Sequence, residues 1–192
     1  MTVILCGKSS AGKDKLQSIM EDKECFRSLV STTSRPMRDG EMNCIQYNFT
    51  TQEGFEKLIE TDMLIEYRKY NVVNNGNSDV WYYGLPKQNL LENENYVVVL
   101  DFQGAEEFTK YYGRENCYIV YIDVDDATRT ERAKKRGSFE QAEWDRRLIA
   151  DEKDFPQEKI ESLCDLVVEN YGRPEKTVEL ILRRLIKHMN RR

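Results

Sequence analysis
Thr2-Val-Ile-Leu-Cys6-Gly7-Lys-Ser-Ser-Ala-Gly12-Lys13-Asp14 is the stretch whose reading decides the fold. Its first five residues form a short apolar run rich in β-branched side chains and stop at Gly7, the pattern of a strand buried on both faces. Lys15-Leu-Gln-Ser-Ile-Met20 then reads as a helix. The connection between them fits G-x-x-x-x-G-K at all three fixed positions. The spacing has a chemical reason. Glycines let successive backbone N–H groups turn inward around phosphate oxygens, and the following helix points its positive dipole end at the same anion. Gly7, Lys8, Ser9, Ser10, Ala11, Gly12, Lys13 and Asp14 are therefore the candidate binding residues for a nucleoside triphosphate, with Lys13 reaching its β and γ phosphates.

Asp14 departs from the pattern, which places a serine or threonine after the lysine to ligate Mg²⁺. A carboxylate is a legitimate ligand for this ion, so Asp14 is the candidate metal ligand. Without the ion it would face phosphate as a like charge. At about 4 Å and an effective dielectric near 20 that repulsion is about 4 kcal/mol. Asp14 thus either makes nucleotide binding unusually dependent on the metal or marks a loop that has lost catalysis, and the retained Lys13 favours the first reading.

Working outward, runs of the same buried-strand kind occur at 96–100 and 117–122, and a shorter one at Leu166-Val-Val168. The clearest helix is the last. Val178, Ile181, Leu182, Leu185, Ile186 and Met189 line one face, and Pro174 stands near its start, where a first-turn proline is tolerated. A further helix is expected from Thr50, with Glu53 completing a capping box and Phe55, Leu58 and Ile59 turned inward. Strands alternating with helices predict an α/β fold around a central parallel sheet. Residues 35–85 interrupt the rhythm and read as a small β-containing insertion, with 71–79 as a polar loop. Residues 125–156 are highly charged and helical by composition, with Gly137 as a break.

The balance of 29 basic against 34 acidic residues gives a net charge of −5, which argues against a general nucleic-acid binder. No apolar run approaches the roughly 20 residues of a membrane helix, and no leader pattern is read, so a cytoplasmic protein without membrane attachment is expected. Cys6, Cys25, Cys44, Cys117 and Cys164 are odd in number and widely spaced, the usage of buried free thiols rather than a disulfide or zinc framework. The single histidine, His188, lies in the final helical turn, which argues against histidine-based triads and metal sites.

The segment Ser31-Thr-Thr-Ser-Arg35-Pro-Met-Arg38-Asp-Gly-Glu41-Met-Asn-Cys-Ile-Gln-Tyr47-Asn-Phe49 adds something more specific. In order after it come Ile65-Glu66, Tyr82-Tyr83-Gly84, Leu100-Asp101-Phe-Gln103-Gly104-Ala105, and Arg132 to Arg136-Gly137 before Arg147. Across essentially its whole length the chain resembles the guanylate kinases, P-loop nucleoside monophosphate kinases. The resemblance implies a three-layer P-loop core (1–34, 86–124 and 157–192), a monophosphate-binding lobe (35–85) and a helical lid (125–156). It implies ATP, GMP and Mg²⁺ as ligands and in-line phosphoryl transfer, with no obligate protein partner. Arg35, Arg38, Tyr47 and Tyr83 match residues on the acceptor phosphate, where guanidinium groups pair oxygens bidentately. Ser31 and Glu66 match guanine contacts, and Asp101 an acceptor-ribose, base or metal-water contact. Lys13, Arg35, Arg38, Arg132, Arg136 and Arg147 would stabilise the transferring charge, while Asn170 falls where the family approaches adenine. Glu131, Lys134 and Lys135 read as surface charge.

Two features separate this chain from that pattern. Leu85 stands where the family carries a serine or threonine as a second partner for the base, and the 71–79 stretch is longer than the family connection. They keep open a kinase for another or modified nucleoside monophosphate or small phosphorylated acceptor. A third reading, an inactive guanylate-kinase-like interaction module, fits poorly with an intact set of loop glycines and lysine.

Overall fold
Every residue of the first strand, β1 (Thr2–Cys6), is buried, as an apolar run flanked by strands on both sides requires. The computed structural model describes residues 1–23, 26–74, 77–135 and 139–191, and divides into two units, Met1–Ser28 with Glu94–Arg192, and Leu29–Asn93. In the larger unit β1 lies at the centre of a five-stranded sheet. Its neighbours are β7 (Tyr96–Val99) and β8 (Cys117–Asp123), with β2 (Arg27–Ser28) and β9 (Leu166–Glu169) outside them. Every pairing is parallel, with Ile4 opposite both Val98 and Ile119.

One face of this sheet (Val3, Leu5, Val97, Val120, Ile122) is covered by helices α1 (Lys13–Asp22) and α7 (Pro174–Met189). They contribute Leu16, Ile19 and Met20, and Val178, Ile181 and Leu185. On the other face α3 (Phe102–Tyr112) brings Phe102 against Tyr121 and Phe155, with ring centroids 5.8 and 4.9 Å apart. This is the expected parallel sheet flanked by helices. The apolar stripe of α7 is narrower than its spacing suggests, because Ile186 and Met189 near its end are exposed. Helices α4 (Asp126–Lys135), α5 (Gln141–Asp154) and α6 (Gln157–Leu163) complete this unit. Among the described residues no helix is long and apolar enough to cross a membrane.

The smaller unit has its own four-stranded sheet, ordered β4 (Asn48–Phe49), β3 (Thr32–Thr33), β6 (Asn77–Pro86), β5 (Leu64–Asn74). Its extent exceeds the 35–85 stretch because β3 pairs with β6, and because the Lys87 N–H donates to the Met63 carbonyl. Helix α2 (Gln52–Glu60) packs Phe55 against Leu64 and stacks it on Tyr82 at 5.2 Å. A Cβ on Gly84 would stand 2.7 Å from the Glu66 carbonyl and 2.9 Å from the Phe55 ring, so only glycine allows that approach.

Two sequence expectations are corrected here. The α2 cap is Thr51, not Thr50: its hydroxyl accepts the Gly54 N–H at 3.0 Å, which puts Glu53 one residue off the capping-box position. The stretch read as a polar loop, 71–79, is largely paired strand, with Asn71 opposite Val80 and Val72 opposite Asp79 in antiparallel register. Backbone hydrogen bonds form the ladder whatever the side chains. Alternation also survives locally, since Val72 is buried while Asn71 faces solvent.

Candidate functional site
The phosphate-loop sequence takes the conformation its glycines permit. Gly7 has φ 150°, and a Cβ there would lie 2.7 Å from the Ile122 carbonyl. Gly12, which opens α1, has φ 97°, and a Cβ there would meet the Asn170 amide at 2.7 Å. The Ala11 N–H donates to the Lys8 carbonyl at 3.2 Å, closing a turn in which Ser10 has φ 62°. Lys13 folds its ammonium back over the loop, donating to the carbonyls of Gly7 and Lys8 at 2.5 and 3.0 Å. Asp14 is exposed in the first turn of α1. A curved backbone ahead of a helix N-terminus, with a lysine across it, can hold phosphate.

Four side chains brace the loop. The Asn170 amide is buried, donating to the Ala11 carbonyl at 2.8 Å and accepting from the Thr177 hydroxyl at 3.1 Å. Arg132 on α4 donates to the carbonyls of Ala11 and Asn170 at 3.1 and 2.5 Å. Arg129, one turn earlier, donates to the Ser9 carbonyl at 2.9 Å, while the Asp151 carboxylate on α5 accepts from the Ser9 N–H and hydroxyl. The ammonium of Lys8 pairs with Glu152, also on α5. Arg147 lies along α5 and donates to Glu143 at 2.8 Å, a carboxylate that Arg146 also holds. Burial opposes ionisation of Glu143, but its two arginines outweigh that and hold it below the usual carboxylate range. Arg136 lies outside the described residues. Asp101 follows β7 and caps α3, its carboxylate accepting the Gly104 N–H at 2.6 Å. Both Asp101 and Lys13 act on the buried Cys6 thiol, which burial above all pushes well above its ordinary pKa.

In the smaller unit Arg35, Arg38, Tyr47 and Tyr83 do come together. Arg35 is 3 % exposed and makes a two-pronged pair with Glu41, at 2.7 and 2.6 Å. Its guanidinium also lies over Tyr47, 5.1 Å from the ring centroid, and Tyr47 packs edge-on against Tyr83 at 5.8 Å. Glu41 accepts the Arg38 N–H as well, at 2.8 Å, so one carboxylate organises both arginines. Burial opposes the charge on each partner. The hydrogen bonds win, raising Arg35 and holding Glu41 below the usual carboxylate range. Ser31 is half-buried just before β3. Glu66 on β5 is 7 % exposed, 3.5 Å from the Arg68 guanidinium. Its register partner on β6 is the wholly buried Leu85.

Arg129, Asp151, Glu41 and Arg68 are site residues that sequence reasoning did not single out. Glu41 stands in the Ser31–Phe49 segment, three residues after Arg38. Arg129 and Asp151 sit among so many exposed charges that nothing local marks them as buried.

A family model described as guanylate kinase matches residues 1–188. A guanylate kinase of Latilactobacillus sakei is 33 % identical over 158 residues, covering 77 % of this chain and 71 % of its own length. One of Mycoplasmoides gallisepticum is 28 % identical over 194 residues, covering 98 % and 93 %. Among solved structures, a guanylate kinase from Anaplasma phagocytophilum superposes with TM-score 0.66 at 23 % identity, covering 98 % of this chain and 85 % of that one. A gluconokinase from Sinorhizobium meliloti superposes with TM-score 0.54 at 12 % identity, covering 97 % and 91 %. At those identities the two structures speak to the P-loop kinase fold alone. The match over residues 1–188, supported by a relative one-third identical, shows that the chain belongs to the guanylate kinase family and is a nucleoside monophosphate kinase.

Proposed function
We propose that this protein transfers the γ-phosphoryl group of ATP to GMP, in line and with Mg²⁺, giving ADP and GDP. The observation that carries the proposal is a second cationic cluster besides the phosphate loop, Arg35 and Arg38 organised by Glu41 beside Tyr47 and Tyr83. Each unit then supplies one nucleotide site. The loop Gly7–Asp14 takes the ATP phosphates, with Lys13 as their point charge. Asn170 is committed to Ala11 and Thr177, so its contribution to ATP comes through the loop backbone it holds.

In the smaller unit Arg35, Arg38, Tyr47 and Tyr83 take the GMP phosphate, and Ser31 and Glu66 the base. A buried carboxylate accepts from guanine N1–H and the 2-amino group. Adenine has no donor at N1, so it offers Glu66 neither of those hydrogen bonds, and Glu66 favours guanine by the bonds that only guanine supplies. Asp101, which lies in the larger unit, is proposed from the family resemblance alone for a ribose, base or metal-water contact. No general base is needed, because a phosphate oxygen is already a nucleophile. Catalysis is positioning and charge stabilisation, and Arg132, Arg136 and Arg147 are the lid cations for it.

The donor set fits Mg²⁺ in one particular way. Among the described residues no three candidate ligands gather into a metal site of their own. Asp14, an exposed carboxylate beside Lys13, is the residue that would hold the ion, with substrate phosphates completing its shell. When bound, the ion neutralises phosphate charge. The free thiols Cys6, Cys44, Cys117 and Cys164 suit a reducing compartment, and the cytoplasm is the proposed location.

A coupled assay of ADP production over a panel of nucleoside monophosphates tests the proposal. Turnover confined to GMP and dGMP is expected. Turnover on a different acceptor favours the second reading, which rests on the wholly buried Leu85 opposite Glu66 in place of a hydroxyl. No turnover with any acceptor overturns both.

A further inference from the structure
One buried ion pair has no part in the chemistry above. Arg129 is completely buried and Asp151 is 6 % exposed. They meet at 2.6 Å, and a second Arg129 nitrogen holds Asp126, also at 2.6 Å. Trp144 covers the guanidinium, 5.8 Å from ring centroid to carbon, and the indole N–H is itself held by the Thr130 hydroxyl at 3.0 Å. What the pair grips is a single residue of the phosphate loop. Arg129 donates to the Ser9 carbonyl at 2.9 Å, and Asp151 accepts the Ser9 N–H at 2.9 and 3.0 Å and its hydroxyl at 3.0 Å. Both backbone polar groups of Ser9 are thus held by side chains 120 and 142 positions away along the chain.

The next residue explains why the loop needs such a grip. Ser10 has φ 62°, a left-handed conformation that costs any side chain but is free to glycine. It is the third residue of the Lys8–Ala11 turn, a position where positive φ selects glycine or asparagine. A Ser9–Ser10 peptide free to rotate would let Ser10 relax to negative φ and change the course of the turn. The carbonyl that Arg129 holds belongs to that peptide.

We infer that Arg129 and Asp151 are positioning residues for ATP. They clamp Ser9 from helices α4 and α5, hold Ser10 in its left-handed conformation, and so keep the phosphate loop preformed before nucleotide arrives. The inference rests on the reading of Gly7–Asp14 as the ATP site but not on the identity of the acceptor. Preformation lowers the cost of ordering the loop on binding, so its loss falls on ATP affinity and not on GMP affinity.

The test is equilibrium binding of Mg²⁺–ATP and of GMP by calorimetry, which does not require turnover. The double variant Arg129→Met with Asp151→Leu removes the grip while filling the same space, a replacement that buried ion pairs often tolerate without loss of stability. Its ATP dissociation constant is expected to rise about tenfold, which is about 1.4 kcal/mol, with GMP binding unchanged. Asp151→Asn, which keeps the shape, is expected to move the same way by a smaller factor and decides the matter should the double variant not fold. Leu185→Ala, a destabilising change in the core of α7, serves as control and is expected to leave ATP binding unaltered. ATP binding within twofold of wild type in a folded Arg129/Asp151 variant overturns the inference. So does an equal loss for ATP and GMP, or failure of both variants to fold, since the pair would then serve stability alone. If the unaltered protein does not bind ATP, the ATP-site reading has failed instead.

Discussion
Asp14 carries two opposing electrostatic demands. In the first turn of α1 a carboxylate is favoured by the helix dipole, by about 0.3–1 kcal/mol. Close to a triphosphate the same charge is repelled by about 4 kcal/mol at contact distance, and a divalent cation turns that repulsion into shared coordination. ATP binding is therefore expected to weaken more on removal of Mg²⁺ in this protein than in an Asp14→Ser variant, measured as the ratio of dissociation constants with and without a chelator. Equal ratios in the two proteins would show that Asp14 takes no part in holding the ion. Glu66 shows how incompletely a residue's surroundings can be read in advance. Glu66 on a partly apolar strand is turned inward and paired with Arg68, a partner two positions along that no motif announced.

At the scale of the element, the segment from Arg35 to Glu41 is organised by one carboxylate. Glu41 pairs Arg35 and accepts the Arg38 N–H, and with Arg35 almost wholly buried its removal would strand a positive charge. Glu41→Gln is expected to cost about 3 kcal/mol of stability at pH 7. The sign of its pH dependence follows from the shift. Glu41's folded pKa is depressed by Arg35, so its contribution is complete above the unfolded value near 4.3 and is lost as pH falls through the lower, folded value. Denaturant titrations at pH 7 and at successively lower pH should show the difference between the variant and the original protein shrinking towards the acid end. A difference that stays constant as pH falls would remove Glu41 as the titrating group.

At the scale of the whole molecule the chain is two units, each with its own sheet and its own cluster of phosphate-binding candidates. A ligand that binds only the folded form of a unit stabilises that unit and slows its local opening. In hydrogen exchange, Mg²⁺–ATP is expected to protect the loop Gly7–Lys13 and α4, and GMP to protect the stretch from Ser31 to Tyr47 together with β5. The same protection pattern from both nucleotides, or GMP protection confined to the larger unit, would contradict the assignment of one site to each. The two sheets also differ in how far they could be read from the sequence. The three inner strands of the parallel one are buried runs that look apolar wherever they stand, and its edge strands β2 and β9 are partly exposed, so the buried run expected at Leu166–Val168 is buried only in part. The antiparallel hairpin of β5 and β6 carries polar residues through 71–79 and is visible only as a ladder.

By itself the sequence determined the β1–loop–α1 unit, the order of buried strands, the α/β class and the Arg35–Arg38 segment. Each of these is written in residues close together along the chain, where periodicity, glycine spacing and local charge suffice. Tertiary structure alone decided that the smaller unit begins at Leu29, that Thr51 caps α2, that Glu66 is buried against Arg68, and that Arg129 and Asp151 clamp Ser9. A charge is costly or useful according to what desolvates it, and that is decided by the fold. Arg129 and Asp151 reach Ser9 across 120 and 142 positions, and Glu66 is buried by its sheet although Arg68 stands two positions away, so the neighbouring sequence does not distinguish such charges from ones left in water.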